Sequence, residues 1–211
     1  AALTLRHPPE GDRFTHVWYD DGLITGFGSG TGEALMFSGS HSISSRVFRY
    51  LPDKEFSGIV DEAYQPAMEN GREQIAAVVN DGLWFDIGTP RRYTGAAKSL
   101  VELMATGQLA APEGSRVHGD SVVHDTASIP GAITRSSVGE RTTIRGELRD
   151  SYVWNDCTIG GSVLLERCIV GHGVEITRPM ELRDALIVRD DPAIPRDQGY
   201  ERRDGLVIAW I

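Results

Sequence analysis

Arg135-Ser136-Ser137-Val138-Gly139 is a five-residue pattern that recurs three times further along the chain. The later copies begin 15, 17 and 17 residues after one another, at Asp150, Arg167 and Asp184. Each copy has an aliphatic residue at its fourth position, and in the first three copies isoleucine follows six residues later. Repetition at such a period indicates a solenoid, because each repeat can bury its apolar face only against its neighbours.

The aliphatic spacing also predicts the shape of the coils. Corners about every six residues favour a prism with three strands per turn and a column of Val and Ile at its core. Because repeats of 15 and 17 residues are shorter than three times six, we expect flattened or two-strand coils. Residues 113–211 resemble the hexapeptide-repeat left-handed β-helix, and the handedness is implied by that resemblance.

Upstream of the repeats, Gly82 to Pro90 has the pattern of a strand end, a tight turn and a helix start. Leu83–Ile87 carries the bulky side chains of a strand, while Thr89 suits an N-cap and Pro90 suits a first helical position. Asp86 would stand at the mouth of that strand, where ligands of α/β sheets usually sit. Alternatively, Asp86 only hydrogen-bonds the turn.

The same stretch resembles the second metal-binding segment of a known enzyme family. Trp84-Phe85-Asp86-Ile87-Gly88-Thr89-Pro90, followed by Arg92 and Tyr93, is similar to that segment in sugar-1-phosphate nucleotidyltransferases such as mannose-1-phosphate guanylyltransferases. The resemblance implies that Asp86 is the catalytic residue and a ligand of the Mg²⁺ cofactor. It also implies that Gly39 and Trp84 line the sugar site, Gly39 by letting the backbone approach the substrate.

On this resemblance, residues 1–109 form the back half of a Rossmann-like α/β catalytic domain, and residues 113–211 form the β-helix. The implied reaction joins NTP and sugar-1-phosphate to give an NDP-sugar and pyrophosphate, with GTP and mannose-1-phosphate as the best match. The glycine-rich nucleotide loop and a second metal-binding aspartate are not found. We therefore expect a fragment, or a chain whose other half is separate, that is inactive alone and forms a homo-oligomer.

Several further elements are predicted from local patterns. Ser57–Gly71 has helical spacing, which Pro66 should kink or divide. A helix from Thr89 onward should present one apolar face, and Leu206–Ile211 should be a strand that caps the coil or pairs with another chain. The residues of that helical face are Tyr93, Ala97, Leu100, Val101 and Met104.

Composition limits the partners. A formal net charge of −9 argues against binding to a nucleic acid backbone or an anionic membrane. No apolar run is long enough to span a bilayer, and no secretory signal is seen. Cys157 and Cys168 fit no zinc motif, so reduced thiols in the cytoplasm are expected.

Two alternative functions remain open at this point. Some β-helix proteins are acyltransferases that use a histidine base, and the candidates here are His118, His124 and His172. Otherwise the chain is a non-catalytic regulatory or scaffolding subunit. His41 is interpreted as a structural polar residue, and the glycine-rich stretch 26–32 lacks the Lys-Ser/Thr that would close a phosphate loop.

Overall fold

The computed structural model describes residues 1–9, 11, 14–69, 73–196 and 198–211. Contacts divide the chain into two compact units, Ala1–Trp84 and Phe85–Ile211. The fold is mostly β, and within the described ranges the α-helices are Gln65–Glu69 (α1) and Pro90–Ala105 (α2). Neither of these two helices has the length and apolar character needed to cross a membrane.

The first unit is a small closed barrel of five strands. Its strands are β1 Ala2–Arg6, β2 His16–Asp20, β3 Leu23–Phe27, β4 Glu33–Ser42 and β5 Ala76–Val79. They hydrogen-bond in the order β1-β4-β2-β3-β5. Leu3, Leu5, Leu35 and Tyr64 fill the interior and are each at most 1% exposed. The alternation of Leu3 and Leu5 along β1 sends both side chains to the same, inner face.

The partial Rossmann-like α/β arrangement predicted for residues 1–109 is not seen among the described residues. Of the five strand pairings in the barrel, four are antiparallel and one, β1 with β5, is parallel. The strand predicted over Leu83–Ile87 does not form. Leu83 and Ile87 are 60% and 59% exposed, so these bulky residues have no sheet face to bury.

Two local turns of the first unit follow the sequence. Asp21 and Gly22 adopt φ angles of 42° and 82° and join β2 to β3 in a hairpin, a turn for which an Asp-Gly pair is well suited. Ser44 caps a short 3₁₀ helix at Ser45–Arg49, where its hydroxyl accepts a hydrogen bond from the Arg46 amide at 3.4 Å. Ser44 is therefore the N-cap of this short helix.

The helix predicted over Ser57–Gly71 is shorter and divided. A π-helical turn at Val60–Tyr64 leads directly into α1, and the geometry changes beside Pro66. A proline has no amide hydrogen to donate, so a change of hydrogen-bond pattern at this point is expected. Gly71, which was predicted to end the helix, lies outside the described residues.

The second unit contains α2 followed by a β-solenoid of about four turns built from strands of two to five residues. The strands are β6 Ser115–His118, β7 Ser121–His124, β8 Ala132–Thr134, β9 Ser137–Val138, β10 Thr143–Ile144, β11 Glu147–Arg149, β12 Tyr152–Val153, β13 Thr158–Ile159, β14 Val163–Glu166, β15 Ile169–Val170, β16 Glu175–Ile176, β17 Met180–Arg183, β18 Ala185–Arg189, β19 Glu201–Arg203 and β20 Leu206–Trp210.

The coils have three sides, so the expectation of two-strand coils is wrong. Side one stacks β7, β9, β12, β15 and β18; side two stacks β10, β13 and β16; side three stacks β8, β11, β14 and β17. All these pairs are parallel. The coils are short because many strands have only two residues and the corners turn tightly. Arg135 and Asp150, for example, take φ angles of 45° and 47°.

The predicted aliphatic column is confirmed. On side one Val138 lies opposite Val153, Val153 opposite Val170, and Val170 opposite Ile187. All four are at most 3% exposed and belong to one apolar core. Val117 lies outside this column and is 42% exposed, because β6 forms an antiparallel hairpin with β7 before the first coil.

The C-terminal strand caps the coil, which is one of the two outcomes that the sequence analysis predicts for it. Strand β20 pairs antiparallel with β18, and β19 pairs with β20. Leu206, Val207 and Ile208 are at most 3% exposed. The last parallel strand of side one is therefore covered by the chain itself.

Helix α2 packs on side one of the solenoid. Val101 forms one buried apolar cluster with Val122 and Tyr152, and Tyr93, Ala97 and Met104 pack against this cluster. The apolar face predicted for this helix is therefore confirmed. Contacts group α2 with the solenoid, whereas the sequence analysis places it in a domain of residues 1–109, and that domain assignment stays a prediction.

Candidate functional site

Asp86 lies in the extended segment that leads into α2. Thr89 has extended backbone angles, and its side chain accepts a hydrogen bond from the Arg92 amide at 3.2 Å. Pro90 is the first helical residue, where its missing amide hydrogen removes no helical bond. The helix start predicted from Thr89 and Pro90 is confirmed, and it places Asp86 just before the first turn of α2.

Both carboxylate oxygens of Asp86 accept hydrogen bonds. Oδ1 accepts the Gly88 amide at 2.9 Å, which makes a local turn, and Oδ2 pairs with the guanidinium of Arg92. The side chain of Asp86 is 31% exposed, so solvent and ligands can still reach it. The turn-forming role and the ligand-binding role of Asp86 are compatible, because the local bonds hold the carboxylate oxygens in place.

The donor chemistry of Asp86 fits one position of a Mg²⁺ site. Mg²⁺ takes oxygen ligands and is commonly held by one or two carboxylates together with substrate phosphates and water. Within the described ranges, no group of three or more His, Cys, Asp or Glu side chains could hold a metal ion. Asp86 therefore offers one protein ligand for a metal ion. In this structure its Oδ2 pairs with Arg92 instead.

Trp84 belongs to the first unit and is held on three sides. Its indole nitrogen donates to the Ser38 carbonyl at 3.0 Å, and the Arg6 guanidinium lies over its ring at 5.2 Å from the centroid. The ring of Phe14 meets it edge-on, with centroids 6.1 Å apart. The indole is therefore fixed against the barrel, with a cation on one face.

The contact with Ser38 brings Trp84 next to the predicted Gly39. Gly39 lies within β4 and has a φ angle of 90°, a conformation that favours glycine. A side-chain carbon added at Gly39 would meet no atom within 4 Å. The surface above Gly39 is therefore open, and backbone geometry rather than crowding accounts for the glycine.

A histidine beside this region bridges two carboxylates. His7 Nδ1 lies 2.8 Å from Asp81 Oδ2, and its Nε2 lies 3.0 Å from Glu33 Oε1. The hydrogen bond that His7 donates to Asp81 has the largest effect, and the one to Glu33 the next largest; both raise the pKa of His7 above its ordinary value. Sequence reasoning missed this cluster, because His7 and Asp81 lie in different parts of the sequence and no local pattern joins them.

The histidines considered for acyl transfer have weak or no acidic partners. His172 Nδ1 lies 3.5 Å from Asp156, but both oxygens of Asp156 already bond Arg141 at 2.6 and 2.9 Å. His124 lies 3.9 Å from Glu140. No ion pair links His118 to an acid among the described residues. His41 bonds the hydroxyl of Tyr64 at 2.9 Å.

Comparison with known proteins adds two similar sequences. No protein-family model matches the chain. The chain is 30% identical over 122 residues, 57% of its length, to the probable mannose-1-phosphate guanylyltransferase 1 of Oryza sativa subsp. japonica. It is 29% identical over 115 residues, 54% of its length, to the probable mannose-1-phosphate guanylyltransferase 3 of the same organism.

These matches span 30% and 28% of the two rice proteins, so the chain covers less than a third of the curated relatives it matches. Together with the β-solenoid, they confirm the sequence resemblance to a nucleotidyltransferase-like region followed by a β-helix.

Proposed function

We propose that this chain is part of a sugar-1-phosphate nucleotidyltransferase. The complete protein would convert NTP and sugar-1-phosphate to an NDP-sugar and pyrophosphate, with GTP and mannose-1-phosphate as its substrates. The similarity to two probable mannose-1-phosphate guanylyltransferases carries this proposal. A second and independent support for the proposal is that the Trp84–Pro90 segment is followed along the chain by the solenoid.

In this proposal Asp86 supplies one carboxylate ligand to Mg²⁺, and phosphate oxygens and water complete the coordination. When bound, the metal would neutralise charge on the reacting phosphates. The residues of the chain have a positioning role. Gly88 and Arg92 fix the Asp86 carboxylate before substrate arrives, so little ordering remains for the bound state.

Gly39 and Trp84 are proposed to line the sugar. The structure supports this with an open surface above Gly39 and an indole held beside it through Ser38. An indole fixed in this way presents a rigid apolar edge to a ligand at low entropic cost. We also propose that the protein acts in the cytoplasm as a homo-oligomer, and that these 211 residues alone do not turn over substrate.

The test uses the natural gene product that contains this chain, assayed for pyrophosphate release with a panel of nucleoside triphosphates and sugar-1-phosphates. Asp86→Asn keeps the size of the side chain and removes its charge. We expect it to lower kcat by about a hundredfold or more, because charge stabilisation at a phosphoryl centre is lost. The full panel also identifies the preferred base and sugar.

Asp81→Asn is the matched control, since Asp81 is a carboxylate five residues earlier in the sequence that bonds only His7 in the described part of the chain. It should leave kcat within about threefold of the unchanged protein, as surface changes usually have small effects. Equal activity of the Asp86 and Asp81 variants contradicts the role of Asp86. Absence of pyrophosphate release with every substrate pair contradicts the proposed reaction.

A further inference from the structure

A cleft of about 400 Å³ lies between α2 and side one of the solenoid. Helix α2 contributes Ala97, Leu100 and Met104 to its wall, and the solenoid contributes Val138 and Val153. Cavities of a few hundred cubic ångströms with mainly apolar walls are typical of small-molecule sites. The cleft lies entirely within the second unit. Asp86, Gly39 and Trp84 are not among the residues that line it.

One side of the cleft is aromatic. Tyr93 and Trp154 line it with ring centroids 6.4 Å apart, and the Trp154 indole nitrogen donates to the Tyr93 hydroxyl at 3.0 Å. Trp154 is 48% exposed, which is high for so large an apolar side chain. Tyr152 packs edge-on beneath Tyr93 and is 2% exposed, so the aromatic wall has a fixed base.

The wall of the cleft also carries polar groups that can donate hydrogen bonds. The Tyr93 hydroxyl accepts from Trp154 but donates to no described group. Asn155 uses its Oδ1 to accept the Glu140 amide at 2.9 Å, which leaves its NH₂ group unpaired within the described part of the chain. His172 also lines the cleft, and its Nδ1 lies 3.5 Å from Asp156. Three polar side chains therefore line one mainly apolar space.

The asparagine is held firmly in this position. A side-chain carbon at Gly139 would come within 2.2 Å of Asn155 Oδ1, so only glycine fits beside it. This close approach and the bond to Glu140 fix the amide plane and direct its NH₂ group away from Glu140. A preorganised donor binds an acceptor with less loss of entropy than a mobile one.

The residues that line the cleft carry no Lys, Arg, Asp or Glu among those that the structure describes. A nucleotide or a sugar phosphate would place two or more negative charges in it without a cation to balance them, and that is costly in an apolar site. A single carboxylate can be held by neutral donors. The residues that line the cleft thus favour a flat apolar ligand with one hydrogen-bond acceptor group.

We propose that this cleft binds a small aromatic carboxylate, with the ring between α2 and the Trp154 side and the carboxylate on the Tyr93, Asn155 and His172 donors. The proposal is independent of the nucleotidyltransferase activity, because it uses only residues of α2 and the solenoid. It defines a second ligand site, separate from the residues assigned to sugar and metal.

The test is a titration of the 211-residue chain with 2-naphthoate, followed by calorimetry and by NMR shifts of the Trp154 indole N–H. We expect saturable 1:1 binding and a shift of that signal. Ala97→Leu fills the cleft from α2 and should weaken binding at least tenfold. Ala105→Leu, the same change at a helix position outside the cleft, should leave the affinity unchanged.

Tyr93→Phe removes one donor without adding atoms and should weaken binding about three- to tenfold, the usual effect of one hydrogen bond. This variant decides the question if Ala97→Leu does not fold. Binding that is unchanged in Ala97→Leu or in Tyr93→Phe overturns the proposal. So does the absence of saturable binding to the unchanged chain at millimolar 2-naphthoate.

Discussion

A column of small polar residues runs through the interior of the solenoid. Ser121, Ser136, Ser151 and Cys168 occupy equivalent positions in successive coils and are fully buried. Each serine Oγ accepts a hydrogen bond from the backbone amide of the next member. The amide of Ser136 lies 3.1 Å from Ser121 Oγ, that of Ser151 lies 3.0 Å from Ser136 Oγ, and that of Cys168 lies 3.0 Å from Ser151 Oγ. The column therefore satisfies amides at a corner where the strand bonds are interrupted.

The prediction at this scale concerns Ser151→Ala. The change leaves the buried Cys168 amide without an acceptor, so we expect the free energy of unfolding to fall by about 1–3 kcal/mol. Denaturant unfolding of the chain measures this. Ser162→Ala is the control, because Ser162 is exposed and makes no side-chain hydrogen bond within the described residues, and it should change stability by less than about 0.5 kcal/mol. Equal effects of the two changes contradict the proposed role of the column.

Burial also controls the chemistry of the column. Desolvation raises the pKa of the Cys168 thiol to about 11, although its contacts with backbone groups oppose this shift. The thiol lies 3.4 Å from the Glu166 carbonyl and 3.5 Å from the Leu182 carbonyl. A thiol in such a place is a packing and hydrogen-bonding group rather than a nucleophile. Cys168 therefore acts in the column as a larger equivalent of serine.

At the scale of elements, α2 depends on its N-terminal cap. Thr89→Ala removes the acceptor of the Arg92 amide and should destabilise the helix by about 1 kcal/mol, while Thr89→Ser keeps the hydroxyl and should cost little. Amide hydrogen exchange in the first turn of α2 measures the difference. Similar exchange rates in both variants would show that the cap does not hold the helix start.

How well the sequence predicted each element depended on how local its signal was. The Thr89-Pro90 start of α2 and the aliphatic repeat of Val138, Val153 and Val170 are local patterns, and both are confirmed. The prediction of a strand over Leu83–Ile87 was wrong, because bulky residues form a strand only where another strand pairs with them. The barrel was missed for the same reason, since β1 pairs with β5 over more than seventy residues of chain.

The candidate site shows the same limit. The Trp84 segment was recognised because its seven residues are contiguous. The bond that joins Trp84 to Ser38, and so to the neighbourhood of Gly39, spans 46 residues and has no local signature. The cleft donors Tyr93, Asn155 and His172 come from α2 and two different coils. Only the packing of α2 on the solenoid brings these three groups to one surface.

At the scale of the whole molecule, the ends of the solenoid need protection. A parallel stack leaves an edge strand with unpaired amides and carbonyls at each end, and such edges promote association. At one end the antiparallel strand β6 covers β7, and at the other β20 covers β18. Strand β19 is the outermost strand at that second end, and it is short and carries Glu201, Arg202 and Arg203. Short, charged edge strands are a common device against aggregation.

The last prediction tests this cap. Ile208 is fully buried in the solenoid core, whereas Trp210, two residues along the same strand, is 61% exposed. Ile208→Lys places a charge in the core without a partner, which should detach β20 and expose β18. We expect oligomers or aggregates in light scattering after size-exclusion chromatography. Trp210→Lys adds the same charge at the exposed end of the strand and should leave the mass distribution unchanged. If the Ile208 variant keeps that distribution too, the core rather than the cap protects the edge.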